Sequence, residues 1–234
     1  MARQPRMDLP GIPQHVVQRG NDRKACFATE VDYGQYLQEL REAARKHGCA
    51  VHAFVLMTNH VHLLVTPANT GNVSRMMQAV GRRYVGSFNA RYRRTGTLWE
   101  GRFKAALVDS ERYLMACYRY IELNPVCAGM ITDPADYRWS SHSHNASGRE
   151  NPLITPHQEY LRLGSTPAAR QAAYRALICE HLDEQQLAEL RLHTRQQRAW
   201  GSDRFRQQIE TLTRRAAGAM PRGRPCKLPI TPGK

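Results

Sequence analysis

Two histidines in the segment Asn59-His60-Val61-His62 are the first residues of this sequence that suggest chemistry. They stand two positions apart, and the apolar residues on both sides are typical of a β-strand. Successive side chains of a strand point to opposite faces, so both imidazoles would leave the same face. Imidazole is a common metal ligand, and the pair could form half of a metal site. On residue types alone, two structural polar side chains are the more common explanation.

A tyrosine and an asparagine, Tyr120 and Asn124, form a second candidate pair. They are four positions apart in a segment predicted to be helical, so they share one face of the helix. A phenol and an amide oxygen could then point to the same place as the two imidazoles. Asn124-Pro125 is also an ordinary way to end a helix. The combination of the four residues in a very basic chain favours the chemical interpretation.

The charge balance predicts a polyanionic partner. The chain has 34 Lys plus Arg and 20 Asp plus Glu, which gives a net charge of +14 and a pI near 10.0. Binding of cationic side chains to nucleic-acid phosphates releases counterions, and arginine suits forked phosphate contacts. A membrane-surface protein would have a similar balance, but no basic amphipathic helix supports that alternative. We expect no membrane partner.

The cysteine pattern and the apolar pattern predict a cytoplasmic protein. Six scattered cysteines without a C-x-x-C pair indicate neither a zinc ribbon nor a disulfide framework. No apolar run resembles a signal peptide or is long enough to span a bilayer.

The order of predicted elements indicates the fold class. Hydrophobic periodicity and turn residues predict strands at 15–18, 51–57, 60–65 and 98–108, and helices at 32–47, 73–93 and from 109 or 110 to about 124. The order strand, helix, strand, strand, helix, strand, helix predicts an α+β fold. We expect a ferredoxin-like antiparallel sheet with helices on one face.

The last third of the chain has a different composition. Residues 143–155 are rich in Ser, His, Asn, Gly and Pro and are predicted to be a linker. Helices are predicted near 156–163, 167–181, 183–196 and 203–213, which would form a small helical region resembling a DNA-binding module. Residues 214–234 form a basic tail, in which Arg222-Gly223-Arg224-Pro225 is similar to the core of an AT-hook that lies in a narrow minor groove. A disordered basic tail is an equal alternative.

Four segments together resemble the REP-associated tyrosine transposases, which belong to the HUH single-strand nuclease superfamily and have an insertion-sequence-type tyrosine transposase domain. They are 12–21 (IPQHVVQRGN), 54–67 (FVLMTNHVHLLVTP), 98–104 (LWEGRFK) and 118–130 (YRYIELNPVCAGM). With their spacing they cover about residues 1–142, which we expect to form the HUH domain. His-Val-His alone would be a weak signal, whereas the four segments are specific as a set.

The resemblance implies cleavage of one DNA strand by a tyrosine. It assigns Tyr120 as the nucleophile that forms a 5′-phosphotyrosine, His60 and His62 as metal-binding catalytic residues, and Asn124 as a third metal ligand. We expect Mg²⁺ as the cofactor and Mn²⁺ as a substitute, because both accept an amide oxygen. Tyr113 and Tyr118 are competing nucleophiles, but only Tyr120 lies in the matching Tyr-Ile-x-Leu-Asn-Pro context.

The resemblance also implies the substrate, a single-stranded DNA hairpin from repetitive extragenic palindromes. We expect a bacterial, nucleoid-associated enzyme that is a monomer or a homodimer. The candidate DNA-binding residues are Arg19, Asn21, Arg23, Arg82, Arg83, Arg91, Arg102, Lys104, Arg222 and Arg224. The alternatives are a non-catalytic DNA-binding regulator of repeats, an HUH replication initiator or relaxase-like enzyme, and an RNA-processing enzyme on a similar sheet.

Overall fold

A four-stranded antiparallel sheet lies at the centre of the computed structural model, which describes residues 6–110, 113–180 and 183–220. The strands are β1 (Gln14–Arg19), β2 (Cys49–Met57), β3 (His60–Pro67) and β4 (Lys104–Leu107), in the spatial order β2-β3-β1-β4. The hairpin β2–β3 lies at one side, and β1 separates it from β4. This is the ferredoxin-like strand order, so the predicted fold class is confirmed.

Two long helices cover one face of the sheet, as the sequence predicted. Helix α1 (Glu30–Lys46) connects β1 to β2, and helix α2 (Asn72–Arg91) connects β3 to β4. The buried side chains of these helices and alternate residues of the strands form one apolar core. The strands contribute Val16, Phe54, Leu56, Val61, Leu63 and Val65, and the helices contribute Tyr36, Leu40, Met76, Val80 and Tyr84. The period-2 pattern of the strands is therefore the cause of this core.

The other face of the sheet is covered too, which the one-face prediction did not include. Helix α3 (Leu114–Glu122) packs on β2 and β3, and α4 (Asn124–Cys127) follows it directly. Beyond it come α5 (His142–Ser147), α6 (Gln158–Leu161), α7 (Pro167–Cys179), α8 (Glu184–Gln196) and α9 (Asp203–Thr213). The second core joins the sheet to these helices through Ala53, Val55, Leu64, Leu114, Tyr118, Ile121, Tyr160, Tyr174 and Trp200.

The structure corrects the prediction of a linker at 143–155. This segment continues α5 and then passes along β2, where Ile154 bridges Val51 and the Thr155 N–H donates to the Val51 carbonyl at 2.8 Å. Asn145 and Ala146 are buried. The Asn145 side-chain N–H donates to the buried Glu122 carboxylate at 2.7 Å, whereas Ser147 to Glu150 are exposed.

Two boundaries differ from the predictions for local reasons. Strand β4 is four residues long, because Gly101 has a φ of 85° that interrupts the extended chain; only an isolated bridge between Trp99 and Gly20 precedes it. Helix α3 begins at Leu114 and not at 109 or 110, and the Asp109 carboxylate accepts hydrogen bonds from Ser202 before α9.

The start of the predicted basic tail is part of the folded chain. Ala217 is buried beside Phe205 and Ile209, and its carbonyl accepts a hydrogen bond from the Ala199 N–H at 3.0 Å. Arg222 and Arg224 lie outside the described residues, so their DNA contact stays a prediction. Of the helices in the described ranges, none combines the length and apolar character that a membrane crossing needs.

Candidate active site

Strand β3 directs His60 and His62 to the sheet face that carries α3. The centroids of their rings are 4.9 Å apart, and Val61 between them lies in the opposite core. Strand β1 pairs beside them, with Val17 across from His62 and Arg19 across from His60. The two imidazoles therefore lie on one face, as the spacing predicted, next to a guanidinium that the pairing register places there.

Helix α3 brings Tyr120 to the same place. The ring centroid of Tyr120 lies 5.5 Å from that of His62, and the two rings meet edge to face. Asn124 lies one turn further on, where its side chain is near enough to His60 to raise the pKa of that imidazole. The chain stays helical past Leu123, whose N–H donates to the Arg119 carbonyl at 2.8 Å. One chain thus brings together all four residues that the sequence singled out.

The two competing tyrosines lie elsewhere. Tyr118 is fully buried among Tyr160 and Tyr174. Tyr113 packs edge-on against Trp200, with 5.0 Å between the ring centroids. Neither of the two has a described ring contact with the histidines, which agrees with the choice of Tyr120.

The proton position on His60 follows from its neighbours. The Asn59 side-chain N–H donates to the Arg23 carbonyl at 3.0 Å, which fixes the orientation of the amide. The Asn59 amide oxygen then faces His60 Nδ1 at 2.6 Å and can only accept. The proton of neutral His60 therefore sits on Nδ1, and the Nε2 lone pair remains for a ligand.

A third histidine, His15 of β1, contacts the Nδ1 atom of His62. His15 Nε2 lies 2.8 Å from His62 Nδ1, and His15 Nδ1 lies 2.8 Å from the Thr194 hydroxyl of α8. If His15 donates to Thr194, its Nε2 accepts the Nδ1 proton of His62. That arrangement leaves Nε2 of His62 free, as a metal ligand requires.

Burial keeps these imidazoles neutral. It lowers the pKa of His15 to about 3 and that of His60 to about 4; the Arg19 charge also lowers the pKa of His60, and the Asn124 side chain opposes the shift. The pKa of His62 is well below its usual 6.5, first through burial and then through the cationic groups around it. Their lone pairs are therefore available near neutral pH.

The donor set fits a divalent cation that also takes oxygen ligands from its substrate. Two neutral imidazole nitrogens and the amide oxygen of Asn124 would supply three ligands. Within the described residues, no cluster of three His, Cys, Asp or Glu side chains could hold a metal. A cation here would therefore leave positions for phosphate oxygens and water.

Two of the four residues line a cleft of about 650 Å³ that is strongly cationic. His62 and Tyr120 line it together with three predicted DNA-binding residues, Arg19, Arg102 and Lys104. Helix α8 adds further cations, Arg191 and Arg195, and the only carboxylate in the lining is Glu100. The cleft suits a strand that carries phosphates along it.

The other predicted DNA-binding residues that the structure describes lie outside this cleft. Asn21 and Arg23 are in a short 3-10 turn, which the Gly20 N–H ties to the Asn59 carbonyl. Arg82 lines a separate groove of about 1130 Å³ on the α1–α2 side. Arg83 also lines that groove and forms ion pairs with two carboxylates of α1. Arg91 forms an ion pair with the buried Asp32, which is also in α1. The observed partners of Arg83 and Arg91 thus stabilise helix packing, and DNA contact by them stays a prediction.

Sequence reasoning missed His15, Arg191 and Arg195. His15 stands four positions before Arg19 in β1, so both side chains leave the same face of the strand. This alternation was the one signal in the sequence that could have placed His15 on the face of Arg19. Nothing in the sequence indicated that α8 would reach the cleft, because its place depends on the packing of the last third of the chain.

Comparisons with known proteins bear on the family and on the fold. Residues 10–124 match the family model described as "Transposase IS200 like". A REP-associated tyrosine transposase solved bound to a REP hairpin is similar in fold, with a TM-score of 0.55, 16% identity, and coverage of 67% of this chain and 93% of that chain.

A second solved structure, from Deinococcus radiodurans and named as a transposase candidate, has 23% identity, a TM-score of 0.36, and coverage of 47% of this chain and 88% of that one. Its likeness is too low to support an argument. No curated protein matches the sequence. The part of the chain that matches the IS200-like transposase family, residues 10–124, is the part that carries the strands, the histidine pair, Tyr120 and Asn124.

Proposed function

We propose that this protein is a metal-dependent single-strand DNA endonuclease and strand transferase of the REP-associated branch. The observation that carries the proposal is the position of Tyr120 against His62, in a cationic cleft formed by one chain. A protein that only bound DNA would have no use for a tyrosine placed beside two neutral imidazoles. The arrangement within one chain also supports use of Tyr120 in its own subunit.

The proposed reaction exchanges one phosphate ester for another. The Tyr120 oxygen bonds to phosphorus, and the bond from phosphorus to the 3′ oxygen of the departing strand breaks. The phenol proton is lost and the 3′ oxygen gains one, so the products are a 5′-phosphotyrosine and a free 3′-OH. Since the new ester keeps the energy of the old one, a second 3′-OH can reverse the exchange without ATP.

The residues of the cleft would perform distinct tasks in this reaction. Helix α3 holds Tyr120, and Arg19 places positive charge across from His60, where the phosphate would lie. A divalent cation held by His60, His62 and Asn124 would offset phosphate charge and stabilise the leaving alkoxide.

The proposed substrate is single-stranded DNA that folds into a REP hairpin. The fold likeness to a transposase bound to such a hairpin and the cationic cleft support this choice. A hairpin offers unpaired nucleotides for the cleft and a stem for the surfaces around it, such as the turn of Asn21 and Arg23.

The decisive experiment is a cleavage assay on single-stranded hairpins from repeats that flank the gene. Purified protein is incubated with Mg²⁺, Mn²⁺ or EDTA, and covalent adducts are separated in denaturing gels. We expect a metal-dependent adduct that Tyr120→Phe abolishes and the control Tyr113→Phe retains, with hairpin affinity within about twofold in both variants. An adduct that persists in Tyr120→Phe would disprove the nucleophile. Binding without an adduct under every metal would indicate the regulator alternative.

A further inference from the structure

Helix α8, from the last third of the chain, presents one face to the active-site cleft. Ala188, Arg191, Leu192 and Arg195 line the cleft, and their spacing of three or four residues places them on one side of the helix. Thr194 also reaches the cleft lining, and Leu190 and His193 are buried on the other sides. This face lies outside the residues that match the family model.

The position of α8 is fixed by contacts on both sides of it. The Thr194 hydroxyl is bonded to His15, which in turn contacts His62. After the helix, the Trp200 N–H donates to the Leu107 carbonyl at 2.8 Å, which attaches the chain to β4. The cleft face of α8 is therefore held at a defined place beside the histidines, as a binding surface requires.

The two arginines on this face have no carboxylate partner among the residues that the structure describes. The Arg191 guanidinium lies 5.7 Å from the centroid of the Tyr120 ring. Within the described part of the chain, no ion pair involves Arg191 or Arg195. In contrast, carboxylates pair with many other arginines, which are Arg83, Arg91, Arg119, Arg138, Arg162 and Arg206. Two such guanidiniums in the cleft of the proposed nucleophile, with Arg191 next to the Tyr120 ring, call for an anionic ligand.

We propose that Arg191 binds the phosphate attacked by Tyr120, and that Arg195, one helical turn away, binds a neighbouring phosphate of the same strand. This inference rests on the proposed function and deepens it, because it makes α8 a wall of the DNA-binding cleft. The guanidinium of Arg191 would hold the phosphate beside the phenol and offset the charge that grows during attack.

The test measures DNA affinity as a function of salt in the full chain. A Tyr120→Phe background removes cleavage, and Arg191→Gln and Arg195→Gln are compared with Arg204→Gln, which removes an exposed arginine of α9 outside the cleft. The ligand is the hairpin with its single-stranded flank. We expect each cleft variant to lower the slope of log affinity against log salt by about 0.7, the value for one phosphate contact on a single strand, and Arg204→Gln to leave it unchanged.

A second measurement uses proteins that retain Tyr120. We expect Arg191→Gln to slow adduct formation at saturating DNA by at least about 100-fold, as for loss of one charge-stabilising donor. Arg191→Lys should keep the salt slope while losing part of the rate, because a lysine keeps the charge but not the fork.

Two results would overturn the inference in distinguishable ways. If both cleft variants match Arg204→Gln in slope and rate while the parent protein still forms its adduct, α8 does not bind phosphate and the proposed function stands. If the parent protein neither binds the hairpin nor forms an adduct, the proposed function fails and the role of Arg191 fails with it.

Discussion

At the scale of single residues, His15 is the side chain whose role the structure adds most clearly. Its Nε2 lies 2.8 Å from Nδ1 of His62, so it can hold that ring in the tautomer that leaves Nε2 unprotonated. We predict that His15→Ala weakens Mn²⁺ binding by about 10- to 100-fold, measured by calorimetry without DNA. His47→Ala, a histidine at the end of α1 outside the site, is the control. Equal Mn²⁺ affinity in wild type and His15→Ala would exclude this positioning role.

Another buried histidine, His52, links stability to pH. Burial lowers its folded pKa to about 4, from 6.5 when unfolded, and it bonds the Thr155 carbonyl and the Thr66 hydroxyl. Between these values the unfolded chain binds the extra proton, so stability is intact above pH 6.5 and declines as the pH falls towards 4. As the pH falls from 6.5 to 4, we predict that the free energy of unfolding of His52→Gln decreases by about 3 kcal/mol less than that of the wild type. Urea titrations at each pH measure both proteins. Parallel pH profiles of the two proteins would contradict the assignment.

Residues with a local signal could be predicted, and residues that depend on tertiary neighbours could not. His60, His62, Tyr120 and Asn124 stand at strand or helix spacing, and the structure brings them together. The alternation within β1 defines the face of His15, but only the strand order places β1 beside β3. Periodicity gives the face of a residue and not its neighbour across the sheet.

At the scale of elements, the helix of Tyr120 is anchored by a buried carboxylate. Glu122 has no exposed surface and accepts hydrogen bonds from several side chains, which are Ser141, His142, Asn145 and Tyr174. This network joins α3 to α5 and α7. The sequence could not reveal this network, because composition does not show that Glu122 is buried. The polar segment 143–155 resembled a linker for the same reason, since Asn145 within it bonds to this buried acid.

We predict that Glu122→Ala lowers the free energy of unfolding by more than about 3 kcal/mol, because it leaves several buried donors without an acceptor. Glu122→Gln should cost less, since its amide oxygen keeps one acceptor at the same place. Urea denaturation followed by tryptophan fluorescence measures both variants. A loss below about 1 kcal/mol in Glu122→Ala would mean that packing alone positions α3.

At the scale of the whole molecule, the chain divides differently from the prediction of a catalytic domain, a linker and an appended helical region. The fold of the first 142 residues was predictable because its elements are long and periodic. The association of the remaining helices with it was not, since it depends on side chains such as Tyr160 and Tyr174 that cover α3 around Tyr118. Residue 142 is therefore not a boundary between independent units.

Two truncations test this organisation against each other. A chain that ends at residue 142 loses two of the four partners of Glu122, Asn145 and Tyr174, and exposes Tyr118, so we predict that it does not unfold cooperatively in urea. A chain that ends at residue 220 keeps every described contact and should unfold as the full protein does. If the 142-residue chain shows a cooperative transition of undiminished midpoint, the C-terminal helices are a separate domain after all. The 220-residue chain also lacks Arg222 and Arg224, so an unchanged salt dependence of its DNA binding would show that residues 221–234 contact no phosphate.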